Sequence, residues 1–220
     1  MDQATFHLGG EPGPLSAELT NPGTPRAVLV LAHGAGAGYR HANLLAVSEA
    51  LAARRVATLR FNFPFMEAGR RRVDARPVAV EAIGRAAGAA AERLPGIPLL
   101  VGGHSFGGRM ASHAVAQSAV ACRALICLSF PLHPAGRPGT GRAAHLDAVS
   151  CPVLFLSGTR DRLAEPELLS EVVRGLGHRA RLHWLDDADH GYRVRKNTRR
   201  DPRSVFDEIG DEIERFLNDL

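Results

Sequence analysis

Five short apolar runs, separated by stretches with helical spacing, constrain the fold of this chain more than any other feature. They cover Arg26 to His33, Val56 to Phe63, Ile97 to Val101, Ala124 to Ser129 and Pro152 to Ser157. A continuous apolar run of this length is expected for a strand covered on both faces. Between them, His41 to Arg54, Pro77 to Leu94 and Glu165 to Leu176 carry apolar residues at helical intervals, and Ala180 to Leu185 is read as a last strand. Thr5 to Leu8 and Leu15 to Leu19, joined by a Gly/Pro-rich turn, are expected to form a leading hairpin. The final helix is expected to start with Asp201 as N-cap and Pro202 at its first helical position, burying Val205, Phe206, Ile209, Ile213, Phe216, Leu217 and Leu220. Strands alternating with helices give the α/β class. We expect a mostly parallel sheet of about seven or eight strands with helices on both faces. One domain over residues 1–220 is expected, since no linker or repeat interrupts the pattern.

The run ending near Val101 feeds Gly103-His-Ser-Phe-Gly107, a G-x-S-x-G pattern between strand and helix. Such a turn is sharp and strained, and it presents the serine hydroxyl at the carboxyl edge of the sheet. Flanking glycines let strand and helix approach without a Cβ clash. A serine hydroxyl becomes a nucleophile only when a base takes its proton, so partners are needed. Asp161 follows the strand ending at Ser157, and His190 lies in the loop after the last strand. Ser105, Asp161 and His190 therefore emerge at one sheet edge, where sites of such sheets form. Each has a plainer alternative. Ser105 suits a helix N-cap, and Asp161, between Arg160 and Arg162, suits a surface turn. Asp186, Asp187, Asp189 and His190 resemble a cation cluster, but without cysteine or a second suitably spaced histidine no metal site is expected. His178 and His183 are weaker base candidates, lying before and within the last strand.

The loop His33-Gly-Ala-Gly-Ala-Gly38 invites a dinucleotide reading, which fails. The third glycine of G-x-G-x-x-G is replaced by Tyr39 or His41, and Asn62 stands where an acidic residue should end the next strand. No cofactor is expected. The same loop can instead present backbone N–H groups to an oxyanion, with Ala35 and Phe106 the candidate donors and Gly34 the nearest substitute for Ala35.

Charge and cysteine content narrow the setting. Lys and Arg total 27 against 23 acidic residues, a net charge of +4. Lys196 is the only lysine, a pattern of coding bias rather than of phosphate recognition. Arg70-Arg-Arg72 and Arg193 to Arg200 are read as solvated loops, with an anionic partner as the alternative, and nucleic acid is not an expected ligand. Three cysteines without C-x-x-C give no disulfide framework. No run approaches the roughly 20 apolar residues of a membrane span, and the first residues lack signal-peptide character, so a cytoplasmic protein is expected.

Taken together, Leu31-Ala-His-Gly-Ala-Gly36, Arg60-Phe-Asn-Phe-Pro-Phe65, Gly103-His-Ser-Phe-Gly-Gly-Arg109, Ser129-Phe-Pro-Leu-His-Pro134, Gly158-Thr-Arg-Asp161 and Asp189-His-Gly191 resemble the small α/β-hydrolases related to dienelactone hydrolase. The resemblance is closest to a branch shared with a testis-expressed protein and a subunit of the NSL histone acetyltransferase complex. It implies the α/β-hydrolase fold without a lid domain. It also implies Ser105 as nucleophile, Asp161 as the acid and His190 as the base. Dienelactone hydrolases proper use a cysteine, so their substrate does not carry over. The implied activity is a serine carboxylesterase acting on a small acyl substrate. A non-catalytic interaction module, or thioesterase, acyltransferase or peptidase chemistry on the same residues, stays open. Phe63, Phe65, Pro131 and Leu132 are read either as acyl-pocket lining or as core under the loops.

Overall fold

The computed structural model describes residues 1–11, 13–196, 198–199 and 201–220. Two antiparallel strands lead, β1 (Asp2–Leu8) and β2 (Leu15–Asn21), a longer hairpin than the pattern suggested. Then come β3 (Ala27–Ala32), α1 (Ala42–Ala52), β4 (Val56–Phe61), a short α2 (Pro64–Glu67) and α3 (Arg76–Arg93). The centre is formed by β5 (Leu99–His104), α4 (Phe106–Ala116) and β6 (Ala124–Leu128). The chain closes with β7 (Val153–Gly158), α5 (Pro166–Gly175), β8 (Ala180–Leu185) and α6 (Val205–Asn218). The strands form one eight-stranded sheet in the order β1-β2-β4-β3-β5-β6-β7-β8. Both pairings of β2 are antiparallel, and every pairing from β4 through β8 is parallel.

Burial on both faces explains the continuous apolar strands. β3, β4, β6 and β7 are buried at every residue. One face packs α1 and α6 through Leu44, Val47, Ile209, Ile213 and Phe216, and the other packs α3, α4 and α5. A polar exception lies inside β4: Arg60 is fully buried, paired with Glu18 of β2 and donating to the Tyr39 carbonyl at 2.9 Å. That bond ties the loop after β3 to the sheet, and a partner on each side is what makes a buried guanidinium tolerable. The connection from β6 to β7 carries a 3-10 helix (Gly141–Ala148) against α4, rather than a lid.

The start of α6 differs from the sequence expectation. Its N-cap is Ser204, whose Oγ accepts from the Asp207 N–H at 3.0 Å, and the helix starts at Val205. Asp201 instead closes a turn onto the Arg203 N–H and guanidinium. Ser204 wins because Asp207, three residues on, returns a carboxylate to the Ser204 hydroxyl at 2.7 Å. The three cysteines are free, with Cys127 buried and the sulfurs of Cys122 and Cys151 3.8 Å apart.

At the centre, α4 sits almost on top of β3 and β5. A Cβ at Gly103 would lie 2.3 Å from the Ala32 carbonyl oxygen, and one at Gly107 would lie 2.4 Å from the same atom. At Gly108 it would fall 2.4 Å from the Gly103 carbonyl oxygen. All three obstacles are backbone, which cannot swing aside. Gly107→Ala should therefore destabilise the protein by at least about 3 kcal/mol, at the upper end of overpacking costs. Gly84→Ala in α3, where nothing lies within 4 Å, should cost nothing measurable. Chemical denaturation of the two variants side by side checks this.

Candidate active site

Ser105 stands between β5 and α4 with φ 53° and ψ −116°, a backbone conformation that L-residues rarely adopt. It is held there by its own N–H, which donates to the Leu128 carbonyl at 2.9 Å, and by its carbonyl, which accepts from Arg109 N–H at 3.0 Å. Although Ser105 occupies the N-cap position of α4, its side chain makes no capping bond. The hydroxyl points instead to His190 Nε2 at 2.8 Å. His190 Nδ1 lies 2.8 Å from Asp161 Oδ2, and the Asp161 carboxylate is wholly buried. Asp161 Oδ1 accepts from the Leu163 N–H at 2.8 Å. A carboxylate can only accept, so Nδ1 carries the proton and Nε2 is free to take one from the serine. The geometry thus joins the three residues that the sequence singled out.

The loop bearing His190 is fastened from several directions. Asn43 Nδ2 of α1 donates to the Gly191 carbonyl at 2.9 Å. Asp189 Oδ1 accepts from the N–H groups of Gly191 and Arg193, each at 2.9 Å. Asp187 is engaged by Arg195, Thr198 and Arg160, and the Arg195 hydrogen bonds hold its carboxyl well below the usual range. Among the described residues no group of three or more His, Cys, Asp or Glu side chains is arranged to hold a metal ion. The second basic stretch is likewise consumed in part by structure: Arg195 binds Asp187, and Arg199 pairs with Glu208. Its last residue, Arg200, lies outside the described residues. His183, the weaker base candidate, faces Glu208 and Glu212 rather than Ser105.

Two histidines, His33 buried and His104 half-buried, not identified from the sequence as functional, shape the site. His104 precedes the serine, and its Nε2 donates to the His190 carbonyl at 2.8 Å. His33 follows β3, with Nδ1 donating to the Gly34 carbonyl at 2.8 Å and Nε2 accepting from the Phe63 N–H at 3.0 Å. Burial pushes both imidazoles down to about 4, so both are neutral. The signal was present in the motif strings, since each histidine adjoins a glycine of the loops. Its meaning depends on backbone groups that come from distant segments.

The loop after β3 brings Ala35 beside Ser105, and both line the same two cavities. Among the described residues neither Ala35 N–H nor Phe106 N–H donates to a protein acceptor. The larger cavity, about 990 Å³, holds His190 and Ser105 and extends past His41, Asn43, Leu44 and Val47. A second, of about 490 Å³, opens from Ser105 past Phe106, Met110 and Pro131. Of the suggested pocket residues only Pro131 lines a cavity; Phe63, Phe65 and Leu132 are fully buried. Phe63 and Phe65 pack edge-on against Phe106 and His33, so they support the pocket wall from behind.

A profile for the alpha/beta hydrolase domain matches residues 25–218. The chain belongs to the alpha/beta hydrolase family. Among solved structures, this hydrolase is similar to an alpha-beta serine hydrolase homologue from Coxiella burnetii, at 18% identity, 97% coverage of each chain and TM-score 0.78. It is similar also to dienelactone hydrolase from Anabaena variabilis, at 16% identity, 99% and 97% coverage and TM-score 0.78. An a/b serine hydrolase without lid from Xanthomonas campestris aligns at 19% identity, 99% and 94% coverage and TM-score 0.74. At these identities the likeness is one of fold. Among the described residues no helix is long and apolar enough to cross a membrane.

The neutral histidines make the hydrolase acid-sensitive. His33 binds a proton near pH 4 when folded but near 6.5 when unfolded, so between these values the unfolded chain holds more protons. Stability is complete above pH 6.5 and falls as pH drops toward 4, by about 3 kcal/mol for His33 alone. Thermal melts from pH 7.5 to 4 should show that decline, and His33→Gln, which cannot titrate, should reduce its slope, the other neutral histidines keeping the rest.

Proposed function

We propose that this hydrolase is a carboxylesterase that cleaves small esters through an acyl-serine intermediate. The observation that carries the reading is the continuous hydrogen-bond chain from Ser105 Oγ through His190 to buried Asp161. In the first half-reaction the Ser105 oxygen attacks the ester carbonyl while its proton passes to His190 Nε2. The carbonyl oxygen becomes an oxyanion, and the Ala35 and Phe106 N–H groups are the donors assigned to it. Such a donor contributes about 3 kcal/mol in comparable sites. The carbon–oxygen bond to the alcohol then breaks, and the alcohol departs with the proton from His190. In the second half, water loses a proton to His190 and attacks the acyl-serine; the acid leaves, and the proton returns to Ser105. Asp161 stays ionised throughout, fixing the imidazole tautomer and stabilising the imidazolium.

The scheme needs no metal or cofactor, and its partner is a small acyl compound. On the motifs shared across the chain, we also place it in the branch that includes the testis-expressed protein and the acetyltransferase-complex subunit. A purely structural reading of Ser105 is disfavoured by its backbone. A strained residue of this kind costs of order 1–3 kcal/mol, and its hydroxyl caps nothing.

Ser105→Ala should abolish hydrolysis of 4-nitrophenyl acetate and butyrate and labelling by a fluorophosphonate probe while leaving the fold intact. Activity persisting in that variant would sink the assignment. Asp161→Asn, which favours the wrong imidazole tautomer, should lower kcat by about 10⁴-fold, as in comparable triads, with a much smaller change in KM. Steady-state kinetics on purified protein decide both.

A further inference from the structure

The second cavity has an unusual charge. Arg76 at the start of α3, Arg109 in α4 and Arg142 in the 3-10 helix all line it, together with Ser105. Among the described residues none of these arginines pairs with a carboxylate, whereas Arg54, Arg60, Arg195, Arg199 and Arg203 all do. The single acidic group in the lining, Asp74, is already taken by the Arg70 guanidinium at 2.7 Å and the Phe65 N–H at 2.9 Å. Arg109 is half-buried, and its Nε is shielded from solvent with no partner. Like charges crowded into a partly dry wall cost free energy unless an anion joins them.

The neighbouring side chains report the same field. His113 and His145 stack at 3.5 Å just behind Arg109, with Ser112 Oγ 2.7 Å from His145 Nε2. Burial, the nearby guanidinium groups and, for His145, the stacked ring hold both imidazoles down to about 4. The guanidinium of Arg109 is itself pulled below its ordinary value, by burial first and then by Arg142 and Arg76.

Geometry decides which part of an ester enters here. The departing alcohol must receive its proton from His190 Nε2, and His190 lines the larger cavity but not the second. The alcohol therefore faces the larger cavity, and the acyl chain runs from Ser105 into the arginine-lined one. Arg109 is one helical turn beyond Ser105, and helical side chains lean toward the helix N-terminus, so its guanidinium is directed back along the acyl path. We infer that the second cavity is an anion-binding acyl pocket, and that the preferred substrates are esters whose acyl chain ends in an oxyanion, as in dicarboxylic half-esters. This rests on the hydrolase reading above and specifies its substrate class. The anion takes no part in bond-making; arginine forks hold it and set the carbonyl over Ser105.

The test compares ethanol release from three esters of similar reach: monoethyl glutarate, ethyl 4-phosphonobutanoate and ethyl pentanoate. In the wild type, kcat/KM for at least one anionic ester should exceed that for ethyl pentanoate by about tenfold or more, as hydrogen bonds to charged groups imply. The better anionic ester tells whether a carboxylate or a phosphate-type group fits. The advantage should shrink at high salt. In Arg109→Gln and Arg142→Gln the anionic-to-neutral ratio should fall by about tenfold. Both esters are read on one preparation, so loss of folded enzyme cancels in the ratio. A wild-type ratio at or below one, or a ratio unmoved in both variants, overturns the anion pocket while Ser105-dependent ethanol release leaves the esterase reading standing. No release from any ester, with no fluorophosphonate labelling, overturns the esterase reading and the pocket with it.

Discussion

The site depends on how closely α4 approaches β3 and β5. Only glycine at positions 103, 107 and 108 lets the first turn of α4 rest on the Ala32 and Gly103 carbonyls. That contact drives Ser105 into its left-handed conformation and turns its hydroxyl away from the helix it would otherwise cap. The strain is local, and it is balanced by a large sheet in which β3, β6 and β7 are buried at every residue. A smaller or softer core would relax the turn before it exposed the serine.

Much of the architecture was legible because two periodicities dominate. Strands buried on both faces read as unbroken apolar runs, and α6 shows a single apolar stripe from Val205 to Phe216. Ser105, Asp161 and His190 were legible because each closes a strand at the same edge, and parallel strands leave no other place for them to emerge. What the sequence hid were bonds made to backbone. His33 and His104 act through the carbonyls of Gly34 and His190, and Asn43 reaches Gly191 from the far side of the chain. Backbone acceptors have no sequence signature. The cap of α6 is ambiguous for a related reason: Asp201 and Ser204 are both good caps, and the bonds between Ser204 and Asp207, with the turn of Asp201 onto Arg203, decide between them.

Charge is distributed with equal economy. Near the His190 loop, Arg195 pairs with Asp187 within the loop, and Arg199 pairs with Glu208 and so anchors the loop to α6. The arginines around the second cavity are left without such partners. The imidazoles of His33 and His104 are neutral, so neither of these two repels a proton added to His190.

The loops after β7 and β8 are laced together. Arg160 N–H reaches the Ala188 carbonyl at 3.0 Å, Asp187 N–H reaches Thr159 Oγ1 at 2.9 Å, and Gly158 leaves no room for a Cβ against Ala188. Asp161 and His190 therefore sit on two loops joined to each other, and His104 of β5 joins the His190 loop to the strand that carries Ser105. The alignment of acid and base is thus set in part by contacts between two loops that touch neither reacting side chain.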